Sequence, residues 1–166
     1  MDHCEIVREK IFAGYPEFSK VLMRWKSMGE HIVFTNGCFD IFHRGHVEYL
    51  AKAADMGDRL IIGLNTDPSV NRLKGTGRPL VDEDSRAFIL ASLFFVDAVV
   101  MFEEDTPENL IRDILPDVLV KGDDYTIEEI AGHQTVLEHG GTVTTIPVVP
   151  GFSTTVLLER ILKMKK

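Results

Sequence analysis

From residue 31 onward, the chain alternates between short apolar runs and longer segments in which polar and apolar positions are mixed. Most of the short runs are continuously apolar, which is typical of strands that are covered on both faces of a parallel sheet. We predict strands at residues 32–34, 60–64, 98–101, 118–120 and 143–146.

The longer segments carry apolar residues at helical spacing. We predict helices at residues 47–56, 82–93, 107–115 and 127–139. Thr106 is expected to cap the third helix, and Thr126 with Glu129 has the spacing of a capping box for the fourth. Because strand and helix alternate five times, we predict an α/β domain: a doubly wound, Rossmann-like sheet of five parallel strands with helices on both faces.

The first 30 residues follow a different pattern. Their apolar positions have helical spacing throughout, and Gly14 and Pro16 divide them into two predicted helices, with Pro16 placed to open the second. We therefore predict an N-terminal helical extension at residues 1–30 and a single α/β domain at residues 31–166.

Composition limits the classes of function. A net charge of −8 is unfavourable for a protein that binds along a nucleic-acid backbone, and no apolar run approaches the roughly 18 residues that a membrane span needs. The polar, acidic start does not resemble a secretion signal, and Cys4 and Cys38 are too few for a disulfide framework. We expect a cytoplasmic protein with neither nucleic acid nor a membrane as its partner.

The loop after the first predicted strand contains the strongest chemical signal, since parallel α/β sheets bind ligands beyond the carboxyl ends of their strands. Residues 36–40 read Asn-Gly-Cys-Phe-Asp, and His43 and His46 follow where a helix begins. Histidines three positions apart share a helix face, and the free amides of the first turn attract anions. Gly45 leaves room for an oxygen to approach the backbone. The segment predicts a phosphate site in which both imidazoles donate to oxygens that gain charge during a transfer reaction.

Two other interpretations fit the same histidines. With Cys38 they could ligate a metal, but no second pair of ligands at suitable spacing accompanies them. They could also be solvated residues at a helix start. The succession of a strand, a glycine turn, an acid and two histidines argues against this second interpretation.

Two later segments add basic side chains. Lys74 lies in a glycine-spaced stretch, residues 72–79, that suits a mobile flap over a triphosphate or a sugar phosphate, or alternatively an exposed loop whose charges are solvated. Arg86 follows Asp82 at i, i+4 spacing, which fits a structural ion pair as well as a phosphate contact.

The last two predicted strands also lead into polar loops. Residues 121–124 read Lys-Gly-Asp-Asp, and these acids fit a Mg²⁺ bound through water, sugar hydroxyls or a helix cap. Residues 151–155 read Gly-Phe-Ser-Thr-Thr and precede the terminal helix. Their hydroxyls and free amides fit both helix capping and a second phosphate site that faces the first.

Together these motifs resemble a known family. The His-x-Gly-His segment resembles the signature of the nucleotidyltransferase superfamily, which includes cytidylyltransferases and class I aminoacyl-tRNA synthetases. From about residue 32 to the end, about four-fifths of the chain, the sequence is similar to the adenylyltransferases of ADP-heptose synthesis, in the cytidylyltransferase-like branch. The matching stretches are 36–40, 43–46, 72–79, 105–107, 116–125 and 149–155.

The resemblance implies transfer of AMP from ATP to D-glycero-β-D-manno-heptose 1-phosphate, with pyrophosphate released. It implies catalytic roles for His43, His46 and Lys74. It further implies nucleotide binding by Cys38, Phe39, Gly45, Lys121, Gly122, Asp124, Gly151, Ser153, Thr154 and Thr155, and substrate binding by Asn36, Asp40 and Arg78. Mg²⁺ is expected to bind mainly through the triphosphate, without direct protein ligands and with Asp123 as a contact through water.

Two positions depart from the family pattern and leave the choice between ATP and CTP open. Asp123 stands where the heptose enzymes usually have glycine, and the Asp-Asp pair is similar to glycerol-3-phosphate cytidylyltransferases. Those enzymes, however, carry an arginine at the position of Val148. The first alternative is therefore a cytidylyltransferase acting on glycerol 3-phosphate or a related polyol or amino-alcohol phosphate.

The second alternative is a non-catalytic module that senses nucleotides. The presence of both histidines, Lys74 and the Ser-Thr-Thr segment argues against it, because a sensor needs binding but no donors for a transition state. We expect a second copy of the chain as a partner, in a homodimer, and the family resemblance implies a separate heptose kinase in the same pathway.

Overall fold

The computed structural model describes residues 2–164, which form one six-stranded sheet flanked by helices. The strands are β1 (Ile11–Phe12), β2 (Ile32–Gly37), β3 (Arg59–Asn65), β4 (Ala98–Phe102), β5 (Val118–Gly122) and β6 (Thr142–Ile146). The α-helices are α1 (His3–Arg8), α2 (Tyr15–Ser27), α3 (Arg44–Ala54), α4 (Asp67–Lys74), α5 (Glu83–Ala91), α6 (Glu108–Ile114), α7 (His133–Glu138) and α8 (Thr154–Lys163). A 3-10 helix spans Ile127–Glu129.

All neighbouring strands are parallel, in the order β1-β4-β3-β2-β5-β6. The predicted class, a doubly wound α/β domain, is confirmed, but the predicted count of five strands is wrong. The sixth strand is β1, in which Ile11 pairs with Val99 of β4. A two-residue run is too short to show the period of a strand, so the helical spacing around Ile11 concealed it.

The N-terminal segment contributes helices, as expected, and Pro16 lies in the first turn of α2. Phe18 and Leu22 of α2 are buried in the same apolar cluster as Ile32 and Phe34 of β2. This helix therefore packs on the sheet rather than standing apart from it. The division of the chain at residue 30 stays a prediction.

The apolar core has two layers because successive residues of a strand point to opposite faces of the sheet. Val33 of β2 packs in the layer that includes Leu50 of α3 and Leu90 of α5. Its neighbours Ile32 and Phe34 pack in the layer that includes residues of α2 and α6. All of the residues named in these two layers are essentially inaccessible to solvent, and this double coverage explains the continuous apolar runs in the sequence.

Three helix predictions need correction. Helix α4 was not predicted, since residues 72–79 were assigned to a loop. The segment 127–139 is not one helix but a 3-10 turn followed by α7, separated around Gly132, whose φ of 79° lies in the left-handed region. Thr106 does not cap α6, whose N-cap position is Pro107 without a side-chain bond. The capping box of Thr126 and Glu129 is confirmed.

The strand order reverses at β2, and this reversal opens a cleft. The strands β2 and β3 pair along six positions, but β2 and β5 pair only at Val33–Val118 and Phe34–Leu119. Beyond that point β2 and β5 separate, and their carboxyl ends leave space between the loops that follow them. This is the switch point at which open α/β sheets bind ligands. No helix within residues 2–164 is long and apolar enough to cross a membrane.

Candidate functional site

A cleft of about 330 Å³ lies at the carboxyl ends of β2 and β5. It gathers residues from the end of β2 and the loop after it, the first turns of α3, the end of α4, the end of β5 and the loop after it, and the start of α8 with the loop before it. The predicted site residues that line it are Asn36, Cys38, Phe39, His43, Gly45, His46, Lys74, Lys121, Gly122, Asp124, Ser153 and Thr154. The structure thus brings most of the predicted site together.

The two histidines form a stacked pair at the start of α3. His43 is the N-cap residue and His46 lies in the first turn, so their rings come within 3.8 Å, centroid to centroid, at an angle of 20°. The rings of Phe39 and Phe42 lie 5.2 and 5.4 Å from that of His46. Within residues 2–164 neither histidine Nδ1 has a hydrogen-bond partner, although both atoms are buried. Buried polar atoms without partners are uncommon and indicate that a ligand completes the site.

Burial keeps both imidazoles neutral near pH 7. Desolvation lowers the pKa of His46 to about 4, and the nearby charges of His43 and Lys74 lower it further in the same direction. Desolvation also lowers the pKa of His43. A neutral imidazole has one N–H donor, so each ring can give one hydrogen bond to a phosphate oxygen without carrying a charge.

Gly45 lets the first turn of α3 lie close to both the His43 ring and Phe152 in the loop before α8. A Cβ atom at this position would lie 2.9 Å from Cβ of Phe152 and 3.0 Å from the ring of His43. Any side chain here would push the loop before α8 away from the histidines. The glycine is therefore required by packing across the cleft, in addition to the approach of a ligand that the sequence suggested.

The basic side of the cleft contains Lys74 and Lys121. Lys74 ends α4, and its charge acts on His46 and on Cys38. Lys121 donates to the backbone oxygen of Asn36 over 3.0 Å and lies 5.3 Å from the ring centre of Tyr125. Burial lowers the pKa of Lys121, while Asp124 and Cys38 act to raise it. Lys121 therefore bridges β2 and β5 where they separate.

The opposite wall is the start of α8. The Ser153 hydroxyl accepts a hydrogen bond from the backbone N–H of Val156 over 3.1 Å, which confirms the predicted cap. Thr154 is the first residue of the helix, and both residues line the cleft. Gly151 and Thr155, which were assigned to the same phosphate site, are not among the lining residues.

Three further predicted residues lie outside the lining of the cleft. The buried carboxylate of Asp40 accepts from Nε of Arg78 over 2.5 Å, so these two residues bind each other. Hydrogen bonds from Val81, Arg78 and Leu80 outweigh the opposing effect of burial and lower the pKa of Asp40. Asp123 accepts from the backbone N–H of Val148 over 3.0 Å. Their roles in binding stay predictions.

Sequence reasoning missed several lining residues, most of them apolar or aromatic: Tyr49, Tyr125, Val148, Val149 and Phe152. The hydroxyl of Tyr49 lies 2.8 Å from Thr35 Oγ1 and donates to the Val120 oxygen over 3.2 Å, and burial raises its pKa. Tyr49 follows His46 by three positions, so the helical spacing that joined the histidines could have identified it. The other four residues have no periodicity of their own, although they lie in or beside the stretches 116–125 and 149–155 that carry the family resemblance.

Cys38 lines the cleft but is unsuited to act as a nucleophile. Burial raises the pKa of its thiol, and this effect outweighs the opposing charges of Lys74, Arg86 and Lys121. The thiolate is the reactive form of cysteine, so a raised pKa reduces reactivity at neutral pH. Its Sγ lies 3.8 Å from Oδ1 of Asn65, a contact that suits a small residue in a packed loop.

The side chains of the cleft do not form a metal cage. Across residues 2–164, no group of three or more histidine, cysteine, aspartate or glutamate side chains is arranged to hold an ion. Asp124 is the carboxylate that lines the cleft among the predicted residues. A divalent cation there would need most of its oxygen ligands from a bound polyphosphate and water.

A cleft at the switch point of a parallel sheet defines the chain as an open α/β protein with its ligand site at the carboxyl ends of the strands. Its sequence defines the class more narrowly. Residues 34–160 match the cytidylyltransferase-like family, and the chain belongs to that family. The predicted superfamily and the predicted enzyme class, a nucleotidyltransferase, are thereby confirmed.

Curated relatives named "bifunctional protein HldE" match most of the chain. The protein from Rhodopseudomonas palustris strain BisB18 is 53% identical over 152 residues, which is 92% of this chain and 31% of that protein. The protein from Methylobacillus flagellatus is 52% identical over 140 residues, 84% of this chain and 29% of that protein. The chain therefore spans about a third of the length of the curated relatives it matches.

A solved structure shows the same fold. The lipopolysaccharide core biosynthesis protein from Thermoplasma volcanium GSS1 superposes with a TM-score of 0.60 and is 29% identical. The match covers 73% of this chain and 98% of that one. The shared architecture supports the confirmed α/β class.

Proposed function

We propose that this chain is an adenylyltransferase that transfers AMP from ATP to D-glycero-β-D-manno-heptose 1-phosphate and yields ADP-heptose and pyrophosphate. The observation that carries the reaction type is the stacked pair of His43 and His46 in the cleft that Ser153 and Thr154 also line. The Nδ1 atoms of both rings are buried and have no hydrogen-bond partner among residues 2–164. The sugar and the base rest on the motifs of the heptose family and on 53% identity to the HldE proteins.

The proposed reaction is a direct in-line displacement. A phosphate oxygen of the sugar phosphate attacks the α-phosphorus of ATP and forms a new P–O bond. The bond between that phosphorus and the oxygen leading to the β-phosphate breaks, and pyrophosphate leaves with the bonding electrons. The attacking phosphate is already an anion at neutral pH, so no side-chain nucleophile is needed, and catalysis depends on positioning and charge stabilisation.

Each wall of the cleft has a part in this step. His43 and His46 donate N–H groups to the α- and β-phosphate oxygens as charge builds on them. Lys74 contacts the sugar phosphate or the departing pyrophosphate. Ser153 and Thr154 hold the nucleotide phosphates with the free amides of α8, since the amino end of a helix favours anions.

Mg²⁺ fits this proposal as part of the ATP complex rather than as a protein-held ion, in line with the few carboxylates among the lining residues. When bound, it would offset the negative charge of the triphosphate. A cytoplasmic location, a homodimer and a separate heptose kinase complete the proposal. The relatives are named bifunctional and are about three times as long as this chain, which leaves room in those proteins for a second activity.

Pyrophosphate release tests the proposal directly. The chain is incubated with ATP or CTP, each with heptose 1-phosphate, glycerol 3-phosphate or phosphoethanolamine. The highest kcat/KM is expected for ATP with heptose 1-phosphate. A preference for CTP with glycerol 3-phosphate would instead establish the cytidylyltransferase alternative. Tight ATP binding without turnover of any acceptor would establish a nucleotide sensor.

A further inference from the structure

A buried carboxylate attaches the segment after Lys74 to the loop that follows β2. Asp40, 2% exposed, accepts three hydrogen bonds: from Arg78 Nε over 2.5 Å, from the Leu80 N–H over 2.7 Å and from the Val81 N–H over 3.1 Å. Charge-assisted bonds of this kind are about twice as strong as neutral ones. Segment 78–81 is therefore held at one point rather than free in solvent.

A buried guanidinium braces the same contact. Arg86 is 1% exposed and donates to the carbonyl oxygens of Val81 and Cys38 over 2.9 and 2.7 Å. It also donates to Asn65 O over 2.8 Å and to Asp67 Oδ1 over 2.7 Å. Val81 is thus held from both sides, since its N–H donates to Asp40 and its oxygen accepts from Arg86. Arg86 is a structural residue, and its ion-pair partner is Asp67 rather than Asp82.

These bonds fix both ends of the segment that carries Lys74. Asp67, bound by Arg86, is the first residue of α4, and Lys74 is the last. The Asn71 amide donates to the Gly75 and Arg78 oxygens over 3.4 and 3.2 Å, which closes the turn after the helix. The backbone position of Lys74 relative to the histidines therefore depends on the attachment at Asp40.

We propose that Asp40 and Arg78, braced by Arg86, form a latch that positions Lys74 over the phosphates bound at His43 and His46. Asp40 and Arg78 are then positioning residues that act through Lys74, not contacts to the sugar. The inference rests on the proposed function for the reaction that Lys74 serves. The position of the latch does not depend on which substrates are used.

Amide hydrogen exchange tests the latch without any substrate. Arg78→Met keeps the apolar stem of a side chain that is 21% exposed and removes the bond to Asp40. Arg59→Met is a matched control. Arg59 is 33% exposed and pairs with Glu30 and Asp97, and it lies at the amino end of β3, away from the cleft. Exchange at Leu80 and Val81 should accelerate about tenfold in Arg78→Met and remain unchanged in the control. Unchanged protection in Arg78→Met overturns the latch.

A double-mutant cycle tests the connection to Lys74. Arg78→Met should lower kcat/KM about tenfold in the wild-type background but less than about twofold in Lys74→Ala, because the residue through which it acts is gone. Arg59→Met should have the same small effect in both backgrounds. Equal losses from Arg78→Met in both backgrounds would show a merely structural role and overturn the inference.

The outcome can be separated from a failure of the proposed function. If the wild-type chain turns over none of the acceptors, the proposed function fails, and the same cycle is measured on the dissociation constant of MgATP by calorimetry. Asp40→Asn, which preserves the shape of the side chain and removes its charge, should reproduce the exchange result of Arg78→Met. Wild-type protection of Leu80 and Val81 in both variants would also refute the latch.

Discussion

Replacing His46 with phenylalanine should separate catalysis from stability. The imidazole of His46 is stacked between His43 and Phe42 with Phe39 at its edge, so a phenyl ring can occupy the same aromatic site. The substitution keeps an aromatic ring at this position and removes both nitrogen atoms. Activity that depends on a donor is lost, whereas the packing of the site is kept.

The expected magnitudes follow from the surroundings of the ring. Loss of one prepositioned donor to a developing charge costs about 3–4 kcal/mol, which lowers kcat by roughly 10²–10³-fold. The buried Nδ1 has no hydrogen-bond partner among residues 2–164, and such an atom costs about 1–3 kcal/mol of folding free energy. Removing it offsets the strain of a slightly larger ring, so the melting temperature should stay unchanged or rise.

Two measurements are needed on each variant: steady-state pyrophosphate release and thermal unfolding monitored by circular dichroism. His46→Asn is the complementary variant, because it keeps an N–H donor but loses the aromatic stack. It should retain more activity than His46→Phe and be less stable. Near-normal turnover of His46→Phe, or parallel loss of turnover and melting temperature, would refute the role of His46 as a donor.

Three further predictions concern the same cleft. Burial lowers the pKa of His46 from 6.5 to about 4, so between these pH values the unfolded state binds more protons than the folded state. The free energy of unfolding of the wild type, measured with urea, should therefore fall relative to that of His46→Phe as the pH drops from 6.5 to 4, by up to about 3 kcal/mol. Lys74→Ala should lower kcat/KM at least tenfold and change the melting temperature little, since Lys74 is exposed at the end of a helix. Comparable losses of kcat/KM and of melting temperature would indicate a structural role instead. Gly45→Ala should lower turnover more than Gly140→Ala, because its Cβ would meet Phe152 and His43 within about 3 Å, and unchanged kinetics would contradict the packing argument.

The sheet could be predicted from sequence because its signal is local and repeated. Strands β2 to β5 contain continuously apolar runs that are buried on both faces, and helices with apolar residues at helical spacing lie between them. The strand β1 lacked that signal because it consists of Ile11 and Phe12 alone and depends on pairing with β4. Helix α4 was missed for a related reason, since its residues Asn71 to Lys74 are polar apart from Leu73 and lead into glycines.

The site could be predicted where its chemistry is carried by short motifs. His43, His46 and Ser153 occupy helix starts, where spacing alone indicates a face and a cap. The pairing of Asp40 with Arg78 could not be predicted, because it joins positions 38 residues apart through backbone turns that have no sequence period. The same limit applies to Val148 and Phe152, whose place in the cleft depends on how α8 approaches Gly45.

Under the proposed function, the neutral state of the histidines explains how an acidic chain can bind a polyphosphate. The chain carries a net charge of −8, and the cationic side chains among the cleft residues named here are Lys74 and Lys121. With their rings 3.8 Å apart, His43 and His46 would repel each other if both were charged, and Lys74 would add to that repulsion. Neutral rings avoid this cost and still donate one hydrogen bond each, and those bonds strengthen as charge builds on the phosphate oxygens. In the proposed reaction, the formal charge of the triphosphate is left to the lysines and the cation that accompanies ATP, while the histidines respond to the charge that appears in the transition state.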